Sequence, residues 1–134
     1  MPAVALVVDD SMLIRYTVSR LLEKHGFAVE SVGNGVEALE ILNRMRPDLI
    51  VTDLQMPKMS GHELIAAVRS KPETAEIPII IVASRPAGNN SGSQEFEKLA
   101  NFLVYKDIDI EEQLDKALKA LRGKTSAKKQ SATK

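Results

Sequence analysis

Cysteine is absent from the 134 residues. Without thiols there is no disulfide and no thiolate metal site, and the composition fits a reducing compartment. Long apolar runs are missing too: none approaches the roughly 20 residues that span a bilayer. The opening Met1-Pro2-Ala3-Val4 lacks the basic segment and extended apolar stretch of a secretory signal. The expectation is a soluble, cytoplasmic protein with no integral membrane segment. Net charge is also lacking, at zero, but this hides an asymmetry. Residues 122–134 hold five basic residues (Arg122, Lys124, Lys128, Lys129, Lys134) and no acid, which leaves 13 basic against 18 acidic residues in the body, a net of −5. A body of that charge is a poor nucleic-acid binder. The tail is short, polar and rich in Lys, Ser and Thr, and is expected to be disordered.

What is present is a regular alternation. Val4–Val8 reads as a buried strand, followed by a helix capped by Ser11 with Ile14, Val18, Leu21 and Leu22 at helical spacing and His25-Gly26 at its end. Ala28–Val32 is a second strand, broken by Glu30 and Ser31 as if near an edge. A second helix runs from Val36 to Met45, with Val36, Leu39 and Leu42 on one side, and Pro47 closes it. Leu49–Thr52 is the third strand. A third helix begins near Gly61, turns Leu64, Ile65 and Val68 inward and ends before Pro72. Ile77–Ala83 is the fourth and most apolar strand, a run that implies cover on both faces as in a parallel sheet. Phe102–Tyr105 is the fifth strand, and Ile110–Leu121 the last helix. Residues 85–93 are rich in breakers, so the fourth helix, over 94–100, is expected to be short or irregular. The whole reads as one α/β domain whose sites form at the carboxyl ends of strands.

Three carboxylates fall at such ends: Asp9 and Asp10 after the first strand, Asp53 after the third. Clustered acids are costly unless a cation or a reactive carboxylate uses them. Hard oxygen donors suit Mg²⁺. Zinc is disfavoured, since cysteine is absent and neither histidine lies near the acids in sequence. Asp53 is a possible nucleophile, because carboxylates form acyl-phosphates. Ser84 follows strand four and offers a hydroxyl to a phosphoryl oxygen; Lys106 follows strand five and offers an ammonium to Asp53 or to the phosphoryl group.

At this point the sequence resembles the receiver domain of two-component response regulators, above all the stand-alone, chemotaxis-type members. Val7-Val8-Asp9-Asp10-Ser11, with Arg15 just after, resembles the family's first-strand motif. The stretch from Asp53 through Met56-Pro57-Lys58-Met59-Ser60-Gly61 to Leu64 resembles its phosphoacceptor motif almost in full, and Asn34-Gly35-Val36-Glu37-Ala38-Leu39 the usual opening of helix two. The resemblance covers roughly residues 4–121. It implies a flavodoxin-like (βα)5 doubly wound sandwich with a five-stranded parallel sheet in the order 2-1-3-4-5. Residues 1–121 would be the receiver and 122–134 the basic tail. Asp53 would be phosphorylated. Asp10 would bind Mg²⁺, with Asp9 helping directly or through water and the Gln55 carbonyl as a further ligand. Ser84 would be the switch hydroxyl and Lys106 the lysine that contacts the phosphoryl group. The donor would be a sensor histidine kinase or phosphotransfer protein, and the domain would slowly hydrolyse its own acyl-phosphate rather than act as a metabolic enzyme. With no effector domain expected after the tail, output would run by protein contact at the surface of the fourth helix, fifth strand and fifth helix, as in chemotaxis or motility.

The departures lie on that same surface. The family's Lys-Pro after strand five is Lys106-Asp107 here, and its switch aromatic is Leu103. Phe102 and Tyr105 flank Leu103 and are expected on the opposite face. The alternative to a phosphorylatable receiver is therefore a receiver-fold module that docks its partner largely independently of phosphorylation. A phosphoaspartate-type hydrolase is disfavoured: nothing resembles its general acid or its cap.

Overall fold

The computed structural model describes residues 3–56, 58–84, 99–106 and 109–132, the last of these by backbone alone from residue 122. Five strands, β1 (Val4–Val8), β2 (Ala28–Val32), β3 (Leu49–Thr52), β4 (Ile79–Ala83) and β5 (Phe102–Tyr105), alternate with helices α1 (Met12–Lys24), α2 (Gly35–Arg44), α3 (Gly61–Ser70) and α4 (Ile110–Ala132). All neighbouring strands are parallel, in the order β2-β1-β3-β4-β5. The flavodoxin-like sheet implied by the family resemblance is the sheet observed. Among the described residues no helix is long and apolar enough to cross a membrane.

The strand period of two splits the core into two layers. Ala5, Val7, Val51, Ile80, Val82 and Val104 face α1 and α4, where Val18, Leu22, Leu114 and Leu118 meet them. Leu6, Val8, Ile50, Ile79, Ile81 and Ala83 face α2 and α3, where Ala38, Leu64, Ile65 and Val68 meet them. β4 is buried at every position, as its unbroken apolar run requires. β2 is half-exposed and lies at the sheet edge, which accounts for Glu30 and Ser31.

Side-chain caps set the helix starts. Ser11 accepts from the Ile14 amide at 3.2 Å and Asn34 from the Glu37 amide at 2.9 Å. Ser60 and Glu63 form a reciprocal capping box.

Three local expectations are corrected. Val36 is 43% exposed. With Asn34 as the cap, Gly35 and Ala38 take the inward face of α2, three residues apart on one side. α4 continues to Ala132, past the Leu121 end expected for the last helix. The third correction concerns Tyr105. Phe102 packs on the α1–α4 layer and Leu103 on the other, and Tyr105 is in register with Ala83 of that second layer. Tyr105 therefore shares Leu103's face, because residues two apart on a strand point the same way. The expected fourth helix over 94–100 and the Lys106–Asp107 bond fall mostly outside the described residues.

Candidate functional site

The sheet order makes the site. β1 and β3 are adjacent at the centre, and the chain leaves them toward opposite edges of the sheet. A crevice opens above their carboxyl ends at such a switch point. Val8 pairs with Thr52, so the next residues, Asp9 and Asp53, are neighbours. The Asp53 amide donates to the Val8 carbonyl at 2.9 Å.

Both acids are buried, at 2% and 5% exposure, while Asp10 is exposed. One carboxylate oxygen from each of the three lies within 4.8 Å of the others. Lys106 closes the cluster: its ammonium stands 3.1 Å from Oδ2 of Asp9 and 3.1 Å from Oδ2 of Asp53. Three carboxylates against one ammonium leave the group two charges negative. Apart from the Lys106 ion pair, Oδ2 of Asp9 is a buried oxygen with no hydrogen-bond donor among the described residues. A doubly negative set of hard oxygens with one under-coordinated member fits a divalent cation that prefers oxygen.

Ordinary hydrogen bonds hold the rest in place. Oδ1 of Asp9 accepts from the Ser11 amide at 2.9 Å, and the Arg15 guanidinium donates to the Asp9 carbonyl at 2.6 Å. Oδ1 of Asp53 accepts from the Leu54 amide at 2.8 Å, and the buried Thr52 hydroxyl donates to the Asp53 carbonyl at 2.9 Å. Gly61, at the start of α3, lies so close to Asp53 that a Cβ there would strike the Asp53 carbonyl oxygen and approach Leu54 Cα at 2.8 Å.

The electrostatics follow burial. Desolvation raises the Asp9 pKa above the ordinary 3.8, with the nearby Asp53 charge adding to it and the Ser11 amide and Lys106 opposing it. For Lys106, burial alone would lower the pKa, but bonds to Asp53 and Asp9 outweigh it and hold the ammonium above the ordinary 10.5.

Four of the sequence-derived residues, Asp9, Asp10, Asp53 and Lys106, are thus brought together. Ser84 stands at the neighbouring strand end, exposed, just past the Ala83–Tyr105 pair. Gln55 is exposed in the β3–α3 loop. The sequence signalled Lys106 toward Asp53 but not its bridge to Asp9. That bridge depends on how far β5 lies from β1, which only the fold fixes. Arg15 and Thr52 act through backbone carbonyls, and no side-chain pattern announces such contacts.

Comparison with known proteins agrees with this fold. The profile described as "Response regulator receiver domain" matches residues 5–119. Response regulator MprA of Mycobacterium sp. (strain KMS) is 35% identical over 102 residues, 72% of this chain and 44% of the relative. MprA of Mycobacterium leprae (strain TN) is 36% identical over 97 residues, 68% of this chain and 42% of the relative. The chain thus spans less than half the length of these curated relatives. Among solved structures, chemotaxis response regulator CheY4 of Vibrio cholerae superposes with a TM-score of 0.79 at 33% identity, over 90% of this chain and 98% of that one. The signal receiver domain of a signal transduction histidine kinase from Syntrophus aciditrophicus gives 0.78 at 27% identity, over 90% and 91%.

The chain belongs to the response regulator receiver domain family. Its receiver fold carries an acid cluster consistent with a phosphoacceptor and metal-binding site for phosphorelay signalling.

Proposed function

We propose that this receiver accepts a phosphoryl group on Asp53 from a sensor histidine kinase or phosphotransfer protein, in a Mg²⁺-dependent reaction, and signals by protein contact in the cytoplasm. The observation that carries this reading is the buried Asp53 carboxylate, within 4.8 Å of two further acids and 3.1 Å from an ammonium. In the transfer, an Asp53 carboxylate oxygen forms the new P–O bond. The P–N bond to the donor imidazole breaks, and its electron pair stays on the ring nitrogen. Asp9, Asp10, Asp53 and the Gln55 carbonyl would hold the cation. When bound, Mg²⁺ supplies positive charge against the phosphoryl oxygens.

Lys106 and Ser84 are assigned to the phosphoryl oxygens, the first by ion pairing and the second through its hydroxyl. Water attack on the same acyl-phosphate gives slow self-dephosphorylation. Met12, Leu13 and Tyr16 are exposed by 76%, 72% and 61% in the first half of α1, the helix that follows Asp9 and Asp10, and are assigned to the surface on which a donor rests. The receiver unit is assigned to residues 1–121, in keeping with a profile match that ends at residue 119, with 122–134 as an appended basic tail. The downstream target is assigned to the surface built from β5, the segment before it and α4. A role in chemotaxis or motility draws on the likeness to CheY4.

Incubation with Mg²⁺ and acetyl phosphate, read by intact mass, tests the reading. One added phosphoryl group is expected, lost with chelator or in Asp53→Asn. No gain under saturating donor would favour a module that docks without phosphorylation.

A further inference from the structure

One side chain of α4 grips the end of β5. The Tyr105 amide donates to Oε1 of Gln113 at 3.1 Å, and Nε2 of Gln113 donates to the Tyr105 carbonyl at 2.9 Å. The same Nε2 reaches the Asp109 carbonyl at 3.3 Å. Among the described residues β5 is the edge strand of the sheet, so at Tyr105 a side chain rather than a further strand meets the outward peptide groups. A glutamine amide carries donor and acceptor on one planar group and can stand in for the missing peptide. Leucine would fill the volume and make neither bond. Glutamate at neutral pH would accept but not donate.

The clamped residue immediately precedes Lys106. On the β4 side, the Lys106 amide donates to the Ala83 carbonyl at 2.9 Å. The strand end is thus held from both sides, one residue before the side chain that bridges Asp9 and Asp53. A lysine stem is long and flexible, so the resting place of its ammonium depends on how firmly its Cα is held.

We propose that Gln113 is a positioning residue for the acid site: it fixes the Tyr105–Lys106 backbone so that the Lys106 ammonium meets both carboxylates. It also makes the first turn of α4 the element that feels a change of charge at Asp53. This rests on the receiver reading. When Asp53 gains a phosphoryl group, Lys106 follows the new oxygens, and the Tyr105–Gln113 pair passes that displacement to α4. Linkage requires the reverse as well: whatever binds the first turn of α4 differently in the two states shifts the phosphorylation equilibrium.

The test uses the full chain with Gln113→Leu and Gln113→Glu, alone and combined with Lys106→Ala. Two quantities are read: the Lys106 ε-methylene resonance without any phosphodonor, and the rate of phosphoryl uptake from acetyl phosphate with Mg²⁺. Both single variants should move the Lys106 resonance toward that of solvent-exposed lysines and slow uptake by about tenfold, a size typical of misplaced catalytic geometry. In the Lys106→Ala background, Gln113→Leu should change the rate by less than about twofold, because its effect runs through the lysine. Should the leucine variant unfold by circular dichroism, the near-isosteric glutamate variant decides.

An unmoved Lys106 resonance with an unchanged rate overturns the proposal. So does equal slowing with and without Lys106, which would make Gln113 a purely structural edge cap. Wild-type protein that takes no phosphoryl group overturns the receiver reading instead, and the resonance arm still reports on the clamp by itself.

Discussion

The ammonium of Lys106 lies 3.1 Å from Oδ2 of Asp9, although β3 and β4 separate the strands that deliver them. One flexible cation thus reaches across the sheet ends and neutralises part of a buried acid pair. A divalent cation held by the same acids would compete with the lysine for Asp9 as well as for Asp53.

That competition gives the first prediction. Lys106→Met should bind Mg²⁺ about tenfold more tightly, since a positive charge leaves the metal's own ligands. Without metal, the variant should lose about 2 kcal/mol at neutral pH, because two buried carboxylates are left facing each other. Isothermal titration and denaturant unfolding with and without Mg²⁺ measure both. Unchanged affinity together with unchanged stability would show that the bridge carries no weight.

The second prediction concerns pH. Burial raises the folded pKa of Asp9 above the ordinary 3.8. Its contribution to stability is therefore fully present below 3.8 and is lost as pH rises through the folded value, where the carboxylate must ionise in its buried place. Lys106, raised above 10.5, contributes stability that is present below 10.5 and lost only as pH rises through its own higher value. Asp9→Asn should therefore stabilise the metal-free protein near pH 7, and the gain should vanish in acid below 3.8. Thermal unfolding in chelator across that range reads the effect. A destabilised Asp9→Asn at pH 7 would mean that its Ser11 and Lys106 contacts outweigh its burial.

Gly61 gives a third. Its Cβ position falls against the Asp53 carbonyl oxygen and near Leu54 Cα at 2.8 Å, and neither is a flexible side chain that can swing away. Gly61→Ala should cost about 3 kcal/mol, at the upper end of ordinary overpacking, and should displace Asp53. Urea unfolding measures the cost. A neutral alanine would mean that the β3–α3 connection yields easily.

Much of this was legible in the residues, for reasons that can be named. Apolar runs ending in acids placed Asp9, Asp10 and Asp53 at the strand ends, and a parallel sheet puts such ends on one rim. Ser11 marked the start of α1 because a cap acts within one turn, whereas the Ser60–Glu63 capping box at α3 came from the structure. Relations between elements were less legible. Val36 is exposed because the inward face of α2 is set by its partners Gly35 and Ala38. The face of Tyr105 follows from strand parity and its register with Ala83. The Gln113 clamp joins a helix side chain to backbone groups of a strand, and backbone groups have no letter in the sequence.

The most direct test of the central claim is chemical trapping of the modified residue. After incubation with Mg²⁺ and acetyl phosphate, borohydride reduces an aspartyl-phosphate to homoserine, and peptide mass mapping finds its position. Homoserine is expected at position 53 alone, absent when the phosphodonor is omitted. Homoserine at Asp9 or Asp10 instead, or none at all under saturating donor, would contradict it.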